Sequence, residues 1–284
     1  MIKEEFEYLV FCFFKIIFLF LPEEISKFLL KILLVLVKFF LYERQRLMIK
    51  NFHLSFPEKT SKQTIKTINK VWYNIGWTFI SSFKYINNPQ KIFLRTRFNN
   101  KKDLEKITGN SIIFTAHIGN WEILAQRLVL EGFKVAAIVR ELRNKKINKE
   151  VHNLREKLGG KVFYPHQLSL IINWLKKGGI IYILPDQHII EGSVRVDFLG
   201  RLAFTTPIIT LLNKRLGSKI LPMFCIRKNS FYEIYIEDLY QPIYSGNLKK
   251  DLEYNTLCMN KIIEKYIKKY PEQWMWLHRR WKEK

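Results

Sequence analysis

From residue 111 onward, short apolar runs alternate with longer amphipathic runs, and this alternation is the feature that most constrains the fold. Three apolar runs have the length and composition of buried strands: residues 111–116, 134–139 and 180–184. The segments between and after them have helical periodicity: residues 121–131, 145–158 and 166–177. A later strand pair and a long helix are predicted at residues 219–226, 231–237 and 248–269. The predicted fold class is therefore α/β, with a mostly parallel central sheet flanked by helices.

The chain has 284 residues, and it shows no internal repeat and no Gly/Ser/Pro-rich linker. One catalytic-sized domain behind an apolar amino-terminal segment is the simplest division of a chain of this length. We therefore predict a membrane-anchoring helical segment at residues 1–42 and a catalytic domain at residues 43–284.

The apolar front consists of two stretches, residues 6–21 and residues 25–42, and charged side chains interrupt both. Neither is a clean run of the ~20 apolar residues that cross a bilayer. In the second stretch Lys27, Lys31 and Lys38 fall on one helical face, which is typical of a helix lying in the membrane interface. The first stretch is the better candidate for a transmembrane helix, with the basic body on the cytoplasmic side. A pair of buried core helices is the alternative interpretation.

The chain is strongly basic, with 48 Lys+Arg against 25 Asp+Glu and a net charge of +23. Such a surface attracts nucleic acid, anionic lipid head groups or an acidic protein. Lys, Ile, Asn and Phe are abundant together, which compositional drift of a genome also produces, so the charge does not choose a partner. Three cysteines without a C-x-x-C pair exclude a disulfide framework and argue against a structural zinc site built on thiolates.

The predicted strand at residues 111–116 runs directly into a polar turn that contains His117 and Glu122. If Asn120 caps the following helix, Glu122 lies in its first turn and its carboxylate can point back at the imidazole. A carboxylate so placed fixes the tautomer of a histidine that takes a proton from a hydroxyl. Gly119 would let a substrate approach the backbone, and amides of the first turn would face a developing oxyanion. The alternative is a histidine that only closes the turn.

A second polar cluster, Asp186-Gln187-His188, follows the predicted strand at residues 180–184. In a parallel sheet it emerges at the same edge as His117, where ligand crevices form. A charged loop that includes Arg195 is predicted to border that crevice. Two further arginines, Arg140 after a strand and Arg155 near a helix end, are candidates to pair with Asp186 or to meet an anionic substrate group.

With these residues in place, the chain resembles the late acyltransferases of lipid A biosynthesis, the lauroyl/myristoyl transferase family within the lysophospholipid acyltransferase superfamily. The superfamily pattern H-x4-D/E matches His117 to Glu122. Three longer strings carry the narrower resemblance: Ala116-His-Ile-Gly-Asn-Trp-Glu122, Leu184-Pro-Asp-Gln187 and Tyr270-Pro-Glu-Gln-Trp-Met-Trp-Leu-His-Arg-Arg-Trp-Lys282. The matches extend from about residue 51 to the end of the chain.

The resemblance implies transfer of a fatty acyl chain from an acyl-carrier-protein thioester to a hydroxyl of a Kdo-lipid A precursor. It makes His117 the general base and Glu122 its partner, and it gives Arg155 and Asp186 roles in activity. The expected substrate contacts are Gly119, Asn120, Arg140, Gln187 and Arg195. It implies no metal or other cofactor. The expected partners are acyl carrier protein, the lipid A precursor and membrane phospholipids, at the inner membrane with the catalytic domain facing the cytoplasm.

Other interpretations remain open at this stage. The H-x4-E chemistry also serves acylation of another glycolipid or of a lysophospholipid. A hydrolase would use His117, Asp186 and His188 as metal ligands and Glu122 as the base. A membrane-tethered nucleic-acid-binding protein would use the lysines and the aromatic residues, but these aromatics lie in apolar runs and no nucleic-acid motif is present. The terminal Trp and Arg string is predicted to pack structurally, as a strand of the sheet, rather than to form an interfacial belt.

Overall fold

A seven-stranded sheet forms the centre of the molecule in the computed structural model, which describes residues 2–282. The chain's nine described strands are β1 (Thr96–Phe98), β2 (Ser111–Phe114), β3 (Val135–Ile138), β4 (Lys161–Phe163), β5 (Ile180–Ile183), β6 (Val194–Phe198), β7 (Arg201–Thr205), β8 (Lys219–Arg227) and β9 (Tyr232–Ile236). The sheet order is β1-β9-β8-β2-β5-β3-β4, and only the β8–β9 pair is antiparallel. The predicted α/β class and mostly parallel sheet are confirmed.

Helices cover the sheet and precede it. They are α1 (Ile2–Phe20), α2 (Glu23–Phe40), α3 (Tyr42–Ser55), α4 (Ser61–Ile86), α5 (Pro89–Arg95), α6 (Trp121–Leu130), α7 (Lys145–Glu156), α8 (Leu168–Lys176), α9 (Ile208–Leu216) and α10 (Leu248–Lys269), with short 3₁₀ turns at Lys101–Lys106 and Pro271–Gln273. Every helix predicted between residues 121 and 269 is present, with ends within two residues of the prediction. The central strands β2 and β5 are buried along their whole length, because helices cover both faces of this sheet.

The charged segment after Asp186 is a β-hairpin, which corrects the prediction of a loop. β6 and β7 pair in antiparallel register, with Val194 opposite Thr205. The turn consists of Leu199 and Gly200, which both have positive φ values (54° and 79°), and such a two-residue turn matches the twist of paired strands. Val196 is buried while Arg195 is exposed, which is the alternation of a strand with one covered face. The alternation of apolar and charged residues over residues 194–198 was therefore the available signal of a strand.

The two amino-terminal helices pack on α4. The Phe11 and Phe83 rings lie 5.7 Å apart, and the buried Lys84 ammonium donates to the carbonyl oxygen of Phe18 at 2.6 Å. Within residues 2–282, no helix is long and apolar enough to cross a membrane, so the expected transmembrane helix at residues 6–21 is not there. The reason is local, because Glu4, Glu5 and Glu7 in the first turns of α1 and Lys15 farther along interrupt the apolar run that a membrane-crossing helix needs.

Candidate active site

The two predicted polar clusters meet at the carboxyl edge of the sheet. β2 and β5 are adjacent and parallel, with Phe114 opposite Ile183. His117 and Asp186 each follow their strand's last residue by three positions, so in-phase strands deliver both side chains to one place. The sequence prediction that these clusters share an edge is confirmed.

His117 is held by two hydrogen bonds to the same carboxylate. Its ring Nδ1 lies 2.8 Å from Asp186 Oδ1, and its backbone N–H donates to Asp186 Oδ2 at 2.9 Å. An ionised carboxylate can only accept, so the proton of the neutral imidazole sits on Nδ1. Nε2 of the half-buried ring then carries no proton. It faces the side-chain amide of Gln187, whose nitrogen lies 3.2 Å away. This is the tautomer that a general base requires.

Asp186 is buried, yet it stays ionised. Burial raises the pKa of its carboxyl group, but the neighbouring His117, the donors on that residue and the Trp274 indole outweigh burial and lower the pKa to about 2. Trp274 Nε1–H donates to Asp186 Oδ2 at 2.7 Å. A buried carboxylate with several N–H donors keeps its charge in this way. Asp186 therefore presents a permanent negative charge to the imidazole.

Glu122 does not hydrogen-bond to His117, which corrects the predicted pairing. Its carboxylate accepts two bonds from Arg155, from Nε at 3.0 Å and from Nη2 at 2.5 Å. Glu122 lies in the first turn of α6 and Arg155 in the last turn of α7, so this fork joins two helix ends. Burial raises the pKa of Glu122, but Arg155 outweighs it and the net pKa is lowered. Asp186 already occupies the Nδ1 position that Glu122 was expected to take.

Gly119 and Asn120 face the protein rather than a substrate, which corrects their predicted contact role. Gly119 has φ +60°, and a Cβ added there would lie 1.9 Å from the Cys225 carbonyl oxygen. Asn120 is buried; its side-chain oxygen accepts from Ile123 N at 3.0 Å, which confirms the predicted helix cap. The backbone N–H of Asn120 donates to Cys225 O at 2.9 Å. Both residues therefore fix the turn that carries His117.

The remaining predicted substrate contacts are spread around this edge. Gln187 lies against the His117 ring, as described above. Arg140 is exposed after β3, two strands from β2. Arg195 lies on β6 with its guanidinium 5.8 Å from the Phe204 ring centre. Arg155 pairs with Glu122 and not with Asp186, so one of the two pairings considered for it is excluded.

The carboxy-terminal segment supplies the contact that sequence reasoning missed. Trp274 bridges Ile118 in antiparallel fashion, and Met275 N donates to His117 O at 2.9 Å. Trp274, Trp276 and Arg280 are buried. The structural interpretation of the terminal string is confirmed, although it packs as an irregular segment and not as a full strand of the sheet. Its dense aromatic content was the available signal, but sequence alone does not reveal which buried group an indole N–H reaches.

The described residues contain no ligand set for the metal ion of the metal-hydrolase alternative. Across residues 2–282, no group of three His, Cys, Asp or Glu side chains is arranged to hold a metal ion. His188, the third ligand of that alternative, stacks edge-on against Phe204 at 5.7 Å and its backbone donates to His278 Nδ1.

Comparison with known proteins gives the geometry its context. The family model described as bacterial lipid A biosynthesis acyltransferase matches residues 2–283. The chain is 28% identical over 240 residues to a lipid A biosynthesis acyltransferase of Haemophilus influenzae, which covers 80% of this chain and 72% of that protein. It is 26% identical over 251 residues to a lipid A biosynthesis palmitoleoyltransferase of Escherichia coli, which covers 86% of this chain and 80% of the relative. A lauroyltransferase of the same organism is 25% identical over 249 residues, with the same coverage. The chain belongs to the bacterial lipid A biosynthesis acyltransferase family.

Proposed function

We propose that this acyltransferase of lipid A biosynthesis moves a fatty acyl chain from an acyl-carrier-protein thioester to a hydroxyl of a Kdo-lipid A precursor. The observation that carries the proposal is the His117–Asp186 pair, which leaves the ring Nε2 unprotonated, as a base requires, at the carboxyl edge of the sheet. The family match supports the substrate class. The relatives are described as palmitoleoyl- and lauroyltransferases, which supports a fatty acyl group as the transferred unit.

The proposed reaction begins when His117 Nε2 takes the proton of the acceptor hydroxyl. The hydroxyl oxygen attacks the thioester carbonyl, and a tetrahedral intermediate forms. When it collapses, the carbon–sulfur bond breaks, and the carrier thiolate takes the proton back from the imidazolium. Asp186 stabilises that imidazolium, because its low pKa keeps it ionised throughout. Gln187 occupies the position beside Nε2 in the free protein, so we infer that the acceptor hydroxyl displaces its amide.

Glu122 and Arg155 have a positioning role in this proposal. The bidentate pair ties the start of α6 to the end of α7, and the α6 start follows directly on the His117 turn. Burial lowers the pKa of Arg155, but Glu122 outweighs it and the net pKa is raised, so the guanidinium stays charged. About a quarter of the Arg155 side chain is exposed (23%), which leaves room for contact with an anionic substrate group.

Attachment to the cytoplasmic face of the inner membrane is part of the proposal. α1 exposes an apolar stripe at helical spacing: Phe6, Leu9, Val10, Phe13, Ile16 and Phe20. α2 exposes a second stripe, described below. Apolar stripes on charged helices are typical of helices that lie in the membrane interface. The net charge of +23 supports binding of acidic acyl carrier protein and anionic phospholipids. The proposed reaction uses no metal or other cofactor.

The test uses detergent-solubilised protein, a labelled acyl-carrier thioester and a tetra-acylated Kdo-lipid A acceptor, with product masses measured by mass spectrometry. Wild-type protein should add the mass of an acyl chain, and His117→Ala should lower the rate about 10²- to 10⁴-fold. His53→Ala is the matched control, because His53 is exposed on α3. No transfer from folded wild-type protein would refute the acceptor, and lysophospholipid and glycolipid acceptors would be tried. Transfer that survives His117→Ala would refute the base.

A further inference from the structure

A cavity of about 950 Å³ opens beside the His117 turn and has no part in the mechanism above. It lies between α2, α4, the carboxyl end of β8 and the terminal segment. β8 runs parallel to β2, so the cavity and His117 share one edge of the sheet. Gln273, in the cavity wall, accepts a hydrogen bond from Gly119 N at 3.1 Å through its carbonyl oxygen. The cavity and the catalytic turn are thus neighbours.

The wall of this cavity is strongly cationic. Its basic residues are Lys31, Lys38, Lys66, Lys70, Arg227 and Lys228, against the single carboxylate of Glu272. Lys228 pairs with Glu233 at 3.3 Å. Within residues 2–282, no carboxylate lies within 4 Å of the charged groups of Lys31, Lys66, Lys70 or Arg227. Cationic side chains that lie close together without carboxylate partners repel one another, and an anionic ligand bound among them reduces that repulsion.

Arg227 gives an independent indication of a ligand. Its Nε–H is buried and finds no acceptor among residues 2–282. Its guanidinium lies over the Tyr73 ring, 5.1 Å from the ring centre, and this contact keeps the guanidinium at the cavity wall. A guanidinium is the donor best matched to phosphate and carboxylate oxygens. A buried donor without an acceptor is costly, so an oxyanion in the cavity would satisfy it.

α2 places this cavity at the level of lipid head groups. The exposed apolar residues of α2 form one stripe: Ile25, Phe28, Ile32, Val35, Leu36, Phe39 and Phe40. Lys31 and Lys38, which line the cavity, lie about 100° round the helix from that stripe. When the stripe enters the hydrocarbon boundary, the lysine row lies at head-group depth and faces anionic groups.

We propose that this cavity binds the phosphate and carboxylate groups of the lipid acceptor's sugar head group while its acyl chains stay alongside the α2 stripe. The inference rests on the proposed function and names where the acceptor's anionic groups bind. A folded acidic carrier protein fits less well, because the cationic surface is concave and adjoins the membrane-facing stripe. A membrane glycolipid reaches such a site without leaving the interface.

The kinetic test compares Lys66→Gln/Lys70→Gln and Arg227→Gln with the control Lys176→Gln/Lys177→Gln. Lys66 and Lys70 are exposed on α4, and Lys176 and Lys177 are exposed at the opposite edge of the sheet. In mixed micelles, each cavity variant should raise KM for bisphosphorylated tetra-acylated Kdo-lipid A about ten-fold, with kcat and the donor KM little changed. The control should match wild type. An unchanged acceptor KM, or a change confined to the donor KM, would overturn the proposal.

A binding test separates this inference from the proposed function. Sedimentation measures binding to phosphatidylcholine vesicles that contain either the bisphosphorylated acceptor or phosphatidylglycerol at equal charge. Wild-type protein should prefer the acceptor vesicles, and the cavity variants should lose that preference while keeping their affinity for phosphatidylglycerol vesicles. If wild type binds in this pattern but transfers no acyl chain, the proposed function fails and the cavity assignment stands. If wild type transfers acyl chains and the variants keep the preference, the cavity assignment fails.

Discussion

Replacing Trp274 by phenylalanine tests whether the carboxy-terminal segment controls the proposed catalytic base, His117. The substitution removes the indole N–H that donates to Asp186 Oδ2 at 2.7 Å and leaves an aromatic ring in a buried site. A hydrogen bond to a buried charged group contributes about 2 kcal/mol, so we expect unfolding free energy to fall by roughly that amount. Without this donor the Asp186 pKa rises and its hold on His117 weakens. If about 1.4 kcal/mol of that loss appears in the transition state, kcat falls about ten-fold.

Trp276→Phe is the matched control, because Trp276 is also buried and its Nε1–H donates to the neutral Pro271 carbonyl oxygen at 2.8 Å. We expect that variant to lose about 1 kcal/mol of stability and to keep kcat within about two-fold of wild type. Chemical unfolding in one detergent and steady-state acyl transfer measure both quantities on both proteins. Equal losses of kcat in the two variants would refute the reasoning, because the indole of Trp274 would then act only as packing.

Gly119→Ala should lower the free energy of unfolding by about 3 kcal/mol in chemical unfolding, because the added Cβ meets backbone and the residue has a positive φ. Gly132→Ala is the control and should lower it by about 1 kcal/mol, because Gly132 also has a positive φ but open space around it. Equal losses of stability in the two variants would contradict the clash at Gly119. Glu122→Gln and Arg155→Gln should each lower the free energy of unfolding by about 2 kcal/mol, because each change leaves a partly buried charge without its partner. The double variant should lose less stability than the sum of the two single variants. Strictly additive losses would exclude coupling between the two residues. The folded-state pKa of Asp186, about 2, lies below its ordinary 3.8, so its ionisation stabilises the fold above pH 3.8 and that contribution disappears as pH falls through 2. The difference is about 2 kcal/mol, and Asp186→Asn should lack this pH-dependent component when unfolding is measured from pH 5 down to about 2.

Local pattern was sufficient to predict five of the seven strands of the sheet and the edge where the site lies, whereas the three-residue strands β1 and β4 were not predicted. β2 and β5 are short, wholly apolar runs, and a polar cluster follows each one at once. Because parallel strands share their carboxyl edge, the sequence predicted that the His117 turn and the Asp186 cluster would lie at the same edge of the sheet. The hairpin β6–β7 was not predicted, although residues 194–198 alternate apolar and charged side chains as a strand with one covered face does.

Pairing within the site could not be predicted, because it depends on distances between elements far apart in sequence. Glu122 is five residues from His117, whereas Asp186 is 69 residues away, so proximity in sequence favoured the wrong carboxylate. Arg155, which pairs with Glu122, lies on another helix, 33 residues farther along the chain. Trp274 is farther still from His117, and nothing in a run of tryptophans shows which one reaches Asp186.

The proposed catalytic pair, His117 and Asp186, therefore depends on three separate parts of the chain. Burying Asp186 as an anion costs several kcal/mol unless donors surround it. Those donors come from the His117 turn and from Trp274, while the parallel pairing of β5 with β2 brings the carboxylate to them. The terminal segment also bonds directly to the turn, since Met275 N donates to His117 O. The carboxy-terminal segment therefore contributes to the tautomer and orientation of the imidazole through both contacts, at Asp186 and at the His117 turn.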